Sequence, residues 1–203
     1  IFLVWPKKNK SFLKKITNQY FLTEAIRENL SFVLEISKKL NLKKNLLRIT
    51  AQNFKGLKYR QQIIYKKKNL VIINDSKSTS FSSSISSLKS NSNIYWLIGG
   101  IHKKEDKFNL PKKYFNKVNA FIYGKNINFF RAALNGKISY QSFDTLKQAL
   151  KKIFKIINKK RLTHQTILFS PCAASFDSFK NFEDRGLYFN KLIKKYVNEK
   201  QKI

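Results

Sequence analysis

Methionine is missing from this chain altogether, and cysteine nearly so: Cys172 stands alone among 203 residues. A lone cysteine excludes an internal disulfide and fits a reducing, cytoplasmic setting. Histidine is almost as scarce, with only His102 and His164. No Cys/His cluster with metal-ligand spacing can form from so few, and a Ser-His-Asp triad lacks a suitable base. Ser175 with Asp177 comes nearest to one, yet no Gly-x-Ser-x-Gly elbow surrounds it. Cys172 has no base partner in the sequence and reads as a small packed residue. Only six glycines are present, and none sits in a phosphate-cradling loop that ends in Lys-Ser or Lys-Thr. No apolar run approaches the length of a membrane span, so no membrane insertion is expected. The opening Ile1-Phe2-Leu3-Val4-Trp5-Pro6 lacks the basic region and small-residue cleavage site of a signal peptide, and none is expected there. It reads instead as a strand that needs neighbours, and the chain is expected to be the carboxyl part of a longer protein.

Acid is the other shortage. Eleven Asp and Glu face 42 Lys and Arg, for a net charge of +31. Such a charge suggests a binder of nucleic acid or anionic membrane. Against that, only six of the basic residues are Arg, the residue whose planar fork phosphate and base recognition usually recruits. Lys, Asn, Ile and Phe are enriched together, as an AT-rich genome would produce, and the lysines are scattered rather than gathered in one arm. No nucleic-acid partner is therefore expected. The few acids are not scattered. Asp75, Glu105, Asp106, Asp177, Glu183 and Asp184 are six of the eleven, and they fall in Asn74–Ser80, Gly99–Phe108 and Ser170–Gly186, under a fifth of the chain.

What is plentiful is apolar surface, 42% of residues, and its periodicity gives the organisation. Helical spacing of Ile26, Leu30, Val33, Leu34 and Ile36 predicts a helix over 23–40, and a shorter one follows over 46–54. A boundary at Lys55-Gly56-Leu57 separates residues 1–54 from 55–203. Beyond it, 62–65 and 70–73 read as a hairpin. Phe81, Ile85 and Leu88 predict a helix with a serine-rich exposed face. Strands are then expected at 94–98, 120–123, 138–140 and 166–169. Helices are expected at 114–118, 127–134, 143–157 and 187–197, with Asp144 near the start of the 143–157 helix. This alternation predicts an α/β fold: a Rossmann-like, mostly parallel sheet with helices on both faces. In such a sheet the three acid-bearing loops, each following a strand, gather at the carboxyl edge. Singly, each has a plain structural reading. Asp75, Ser76 or Thr79 could cap a helix, and Gly99-Gly100 could be a tight turn.

Together the loops resemble those of the Mur ligases. Asn74-Asp75-Ser76-Lys77-Ser78-Thr79 is similar to an Asn-Asp-Ser-Lys-Ala-Thr motif of that family. Ser170 to Gly186, Ser-Pro-Cys-Ala-Ala-Ser-Phe-Asp-Ser-Phe-Lys-Asn-Phe-Glu-Asp-Arg-Gly, resembles its Ser-Pro-Ala-Cys-Ala-Ser-x-Asp-x-Phe-Lys-Asn-Phe-Glu-x-Arg-Gly motif nearly throughout. Gly56-Leu57-Lys58-Tyr59-Arg60 matches its Gly-Leu-x-His-Arg, with Tyr59 in place of His, and Leu97-Ile98-Gly99-Gly100 matches a strand-to-loop Gly-Gly. The likeness covers about residues 20–198. It points to the branch that adds D-glutamate, since siblings adding other amino acids carry Asp-Tyr at Asp75-Ser76.

The resemblance implies ATP-dependent ligation of D-glutamate to UDP-N-acetylmuramoyl-L-alanine through an acyl phosphate. By the same likeness residues 1–54 are the end of a central ATP-binding domain, and 55–203 a carboxyl-terminal domain. Lys77 would be the catalytic cation beside the phosphates or the reacting carboxylate. Asn29, Arg60 and Asp75 would meet ATP, Asn29 at adenine and Asp75 at the ribose hydroxyls. Thr79, Lys103, Ser175 and the backbone at Phe176 and Phe182 would hold the D-glutamate side-chain carboxylate, while Asp177 and Glu183 would hold the loop and cap the last helix. Mg2+ and its ligands would lie upstream. The family's His-Asn pair is Ala25 and Ile26 here, and a longer loop after Gly100 offers Lys104 as an alternative to Lys103. Two rivals remain open: a related ligase with another amino-acid substrate, such as a folylpolyglutamate synthase-like enzyme, and a non-catalytic basic binding module.

Overall fold

The computed structural model describes residues 9–21, 24–67, 69–159 and 164–200. The expected strand over the first residues lies outside this set. The chain divides into two compact units, Ile1–Gly56 and Leu57–Ile203.

The first unit is helical. It contains α1 (Lys10–Lys14), a 3-10 turn (Gln19–Phe21), α2 (Glu24–Lys39) and α3 (Lys44–Asn53). Phe12, Leu13, Ile16 and Phe21 pack with Ile26, Leu30 and Leu34 from one stripe of α2, and with Ala51 of α3. The stripe is narrower than the sequence pattern suggests: Val33 and Ile36 are exposed, and Ser31 and Ser37 are buried in their stead. Both serines return their hydroxyls to carbonyls one turn back, Ser31 to Arg27 and Ser37 to Val33, which lets a polar residue sit inside the packing. The Asn18 amide ends α3 by donating to the carbonyls of Ala51, Gln52 and Phe54.

The second unit is the α/β body. Its strands are β1 (Gln62–Lys67), β2 (Leu70–Asn74), β3 (Ile94–Ile98), β4 (Val118–Tyr123), β5 (Ser139–Phe143) and β6 (Gln165–Phe169). They form one sheet in the order β1-β2-β6-β3-β4-β5. The hairpin β1-β2 is antiparallel, and every other pair is parallel. Both faces are covered, and side-chain alternation along the strands sorts residues between them. Val71, Ile73, Ile94, Trp96, Ile98, Val118, Ala120, Ile122 and Leu168 meet α4 (Phe81–Ser90) and α5 (Ile127–Leu134) on one face. Ile72, Tyr95, Leu97, Phe121, Tyr123, Ile167 and Phe169 meet α6 (Leu146–Lys159) and α7 (Phe182–Lys200) on the other. This is the Rossmann-like sheet that the alternation predicts.

The helix expected over 114–118 is instead a 3-10 helix, Lys112–Lys117, with Val118 already in β4, and two further helices of this unit start elsewhere than the sequence reading places them. Phe143 does not begin a helix. It ends β5, opposite Tyr123, with its ring stacked 5.9 Å from that of Phe121. Helix α6 starts later because Thr145 and Gln148 form a reciprocal cap: each backbone N–H donates to the other's side-chain oxygen. Helix α7 begins five residues before position 187. There the Asn181 side chain accepts the Asp184 N–H at 2.8 Å, so Asn181 is the cap, and neither Asp177 nor Glu183 fills that role. Glu183 and Asp184 occupy the first turn of α7, where negative charge suits the helix dipole.

Adjacent strands β2 and β6 lead to opposite faces: β2 continues into α4 and β6 into α7. A crevice opens at the carboxyl edge wherever neighbouring connections diverge in this way. The same edge demands glycine. A Cβ on Gly99 would lie 2.1 Å from the Tyr123 carbonyl oxygen at the end of β4, whereas one on Gly136 would meet nothing within 4 Å. Gly99→Ala is expected to destabilise the chain by about 3 kcal/mol. For Gly136→Ala the cost is only the strain of a positive φ, about 1 kcal/mol. Denaturant titration of the two variants checks the order.

Candidate functional site

The three acid-bearing loops do converge. The Asp75 N–H donates to the Phe169 carbonyl at 2.7 Å, which carries the β2–β6 pairing past the strand ends. Gly99 N–H donates to Pro171 O at 3.1 Å. Ile101 and Ala174 exchange both backbone bonds, at 3.0 and 2.8 Å. Asp106 Oδ2 accepts the Phe81 N–H at 2.7 Å, which joins the third loop to the start of α4. Five backbone or cap contacts thus sew Asn74–Ser80, Gly99–Phe108 and Ser170–Gly186 into one rim.

Beneath the rim lies a buried polar network. Asn74 donates to the Gly186 carbonyl and to Asn190 Oδ1, and its own oxygen accepts the Ser76 N–H. Asp75 is 6% exposed. Its Oδ1 accepts the Gln61 N–H at 3.0 Å and its Oδ2 the Ser170 hydroxyl at 2.8 Å. Ser170 also lies 2.6 Å from the Ser84 hydroxyl, which contacts Ser78 Oγ and Cys172 Sγ in turn. Trp96 fixes the Ser170 carbonyl with its indole N–H at 2.9 Å. Burial pushes the Asp75 carboxyl up from its ordinary 3.8 to about 7, although the bonds from Ser170 and Gln61 and the nearby Arg60 charge oppose this. Burial likewise raises the Cys172 thiol. With its sulfur inside a hydroxyl cluster and away from any base, Cys172 is a packed residue.

The expected ligand residues differ in burial and contacts. Lys77 is half-buried, and its ammonium sits 4.0 Å from the centroid of the Phe182 ring, a cation–π contact at the amino end of α7. Thr79 is half-buried beside it in sequence, and Ser175 is 3% exposed. Lys103 and Lys104 are both exposed on the loop pinned by Ile101, and Arg60 is exposed at the entry to β1. Phe176 is 72% exposed, so its ring packs on little. Asn29 is exposed on α2, in the first unit. Tyr59, at a positive φ of 61°, lies against Gly186, where a Cβ would come within 2.3 Å of its ring.

Asp75 is therefore more deeply engaged inside the protein than a ribose contact alone would need. Several residues of the network carried no expectation, and two of them tie its loops together. Ser170 is one. Arg185 is the other: it is 1% exposed and bonded to Ser76 and Ala173. The signal for Arg185 was present, since Phe182, Arg185, Phe189 and Ile193 share the apolar spacing of α7, and a charge on an apolar stripe needs internal partners.

Known proteins of similar sequence and structure belong to one family. No family model matches the chain. It is 33% identical over 173 residues to the UDP-N-acetylmuramoylalanine--D-glutamate ligase of Rickettsia felis, covering 85% of this chain and 38% of that protein. The chain spans less than half the length of the curated relatives it matches. In structure it resembles MurF of Acinetobacter baumannii, with TM-score 0.62 and 16% identity over 85% of this chain and 38% of that one. It also resembles MurF ligase of Thermotoga maritima in complex with ADP, with TM-score 0.59 and 12% identity over 88% of this chain and 40% of that one.

The buried carboxyl sets a pH dependence. An acid whose folded pKa is raised binds its proton more tightly when folded, so its contribution to stability is full at low pH. That contribution is lost as pH climbs from the ordinary 3.8 toward about 7. Asp75→Asn removes this loss. Its melting temperature should fall less than that of the unchanged chain between pH about 5 and about 8. Parallel curves would show that Asp75 is ionised throughout.

Proposed function

We propose that this chain, which belongs to the Mur ligase family, is the carboxyl-terminal part of a UDP-N-acetylmuramoylalanine--D-glutamate ligase acting in the cytoplasm on peptidoglycan precursors. The reading is carried by one observation: three loops sewn together at the carboxyl edge, with the Lys77 ammonium held over Phe182 where α7 begins. It is supported by a Rickettsia felis relative that bears this ligase name. The Rossmann-like unit is the carboxyl-terminal domain, and the helical unit is the end of the ATP-binding domain.

The reaction joins a carboxylate to an amine, with ATP converting the alanine carboxylate of the nucleotide substrate to an acyl phosphate that the D-glutamate amine then attacks. Such chemistry asks the protein for position, charge neutralisation and exclusion of water rather than for a nucleophile. Lys77 supplies the cation for the phosphate or reacting carboxylate. It is half-buried against an aromatic face, which fixes the ammonium without neutralising it. At the start of α7 Asn181 caps the Asp184 N–H, and the N–H groups of Phe182 and Glu183 before it suit a carboxylate. Thr79 and Ser175 add hydroxyls, Phe176 and Phe182 offer backbone, and Lys103 brings a countercharge from the neighbouring loop, with Lys104 as its alternative. Arg60 and Asp75 are assigned to ATP, with Asn29 at adenine. The Thermotoga MurF structure with ADP supports nucleotide use in this fold. Magnesium is assigned to ligands upstream of these residues.

The rival amino-acid ligase and the basic binding module are not favoured, because the relatives carry the D-glutamate ligase name. Among the described residues no helix is long and apolar enough to cross a membrane. The test is phosphate release by the full-length protein with UDP-N-acetylmuramoyl-L-alanine and a panel of amino acids. Release that depends on D-glutamate is expected, and Lys77→Ala should lower kcat by roughly 100-fold while the protein stays folded. Equal release with L-lysine, or none with D-glutamate, overturns the assignment.

A further inference from the structure

Arg185 is a buried cation without a bonded carboxylate among the described residues. It projects from the first turns of α7 into the body of the second unit and is 1% exposed. Its Nε donates to Ser76 Oγ at 3.1 Å, and its Nη2 donates to the carbonyls of Ser76 at 2.7 Å and Ala173 at 2.9 Å. Among the described residues Nη1 has no partner, and neither has the buried hydroxyl of Tyr123. Burial lowers the pKa of the guanidinium, against the raising influence of Tyr123, Asp177 and Cys172. Burying such a charge is costly, and an apolar side chain of similar volume would fill the space at less cost. The compensation is geometric. Every bond that the guanidinium makes goes to one of two loops, and a planar fork fixes both distance and angle between its acceptors.

The loops it joins are the two that carry the proposed chemistry. Ser76 precedes Lys77, and Ala173 lies two residues before Ser175. Ser76 also donates its hydroxyl to the Phe182 carbonyl at 2.8 Å, and Phe182 is the residue whose ring holds the Lys77 ammonium. Arg185, Ser76, Phe182 and Lys77 therefore form a closed circuit. We infer that Arg185 is a positioning residue that keeps the cation of the Lys77 loop in register with the amino-acid subsite of the Ser175 loop. The inference rests on the ligase reading and assigns a role to a side chain that touches no substrate.

The experiment compares Arg185→Lys with Tyr123→Phe in the full-length protein, well below the melting temperature of each. Lysine keeps the charge but cannot bond two loops through one plane. Arg185→Lys should raise KM for D-glutamate roughly tenfold and lower kcat, with KM for the nucleotide substrate unchanged. Tyr123→Phe removes an unbonded hydroxyl and should leave all three parameters as they are. A lowered melting temperature with unaltered kinetics would make Arg185 merely structural and overturn the inference. Should Arg185→Lys fail to fold, Ser76→Ala breaks the same circuit at its centre, and an unchanged KM for D-glutamate there counts equally against it. If the unsubstituted protein releases no phosphate with D-glutamate, the ligase reading fails on its own. Hydrogen exchange then decides the coupling. Loss of protection in 74–80 and 170–181 together upholds it, and loss in one loop alone sinks it.

Discussion

Strands β2 and β6 run side by side for five residues and then leave the sheet still bonded. The Asp75 N–H reaches the Phe169 carbonyl, and the Ser170 hydroxyl reaches the Asp75 carboxyl. The site depends on this continuation. Parallel strands ordinarily separate at their carboxyl ends, because the connections that follow go to different helices. Here α4 and α7 lie on opposite faces, so the two loops would diverge if nothing held them. The carboxyl of Asp75, shared between Gln61 and Ser170, is one clasp, and the guanidinium of Arg185, shared between Ser76 and Ala173, is a second. Both are ionisable groups placed where burial penalises charge. Their cost is borne by a unit whose sheet is packed on both faces.

The fold was largely legible in the sequence because it rests on periodicity. Ile94–Ile98 and Ile127–Leu134 are found at their expected bounds, since runs of β-branched and apolar residues bounded by Gly or Asn leave little choice. The errors fall where a local cap overrides the pattern. Thr145 with Gln148 delays α6 past Phe143, and Asn181 advances α7 to Phe182. Caps involve two or three residues, and the apolar stripe that defines a helix does not fix its first turn.

The candidate site was legible by its clustering and not by its bonds. Acids concentrated after three strands marked the edge correctly. What each acid does could not be read, because its partner lies far along the chain. Arg185 and Ser76 are 109 residues apart, and Ser84 and Ser170 are 86 apart. The serines of the helix marked by Phe81, Ile85 and Leu88 read as an exposed polar face. In fact Ser78, Ser84 and Ser87 are buried, and the first two bond inward toward Ser170 and Cys172. Small hydroxyls can turn inward where a longer polar side chain could not, and only three-dimensional partners decide which way they turn.

The same bonds bear on the charge of the rim. A chain of net charge +31 would surround any site with positive potential, but a loop acid beside the ligand would locally cancel it. The loop acids are largely committed elsewhere. Asp75 is buried, with a carboxyl shifted toward neutrality. Asp106 accepts the first N–H of α4, and Glu183 and Asp184 lie in the first turn of α7. Lys77, Lys103, Lys104 and Arg60 remain half-buried or exposed. The potential at the edge is therefore set by cations on three loops, and it favours ligands that carry carboxylate or phosphate. Acids enriched in the site loops and a cationic rim are thus compatible: the acids set the positions of loops and helix ends, and the lysines set the field.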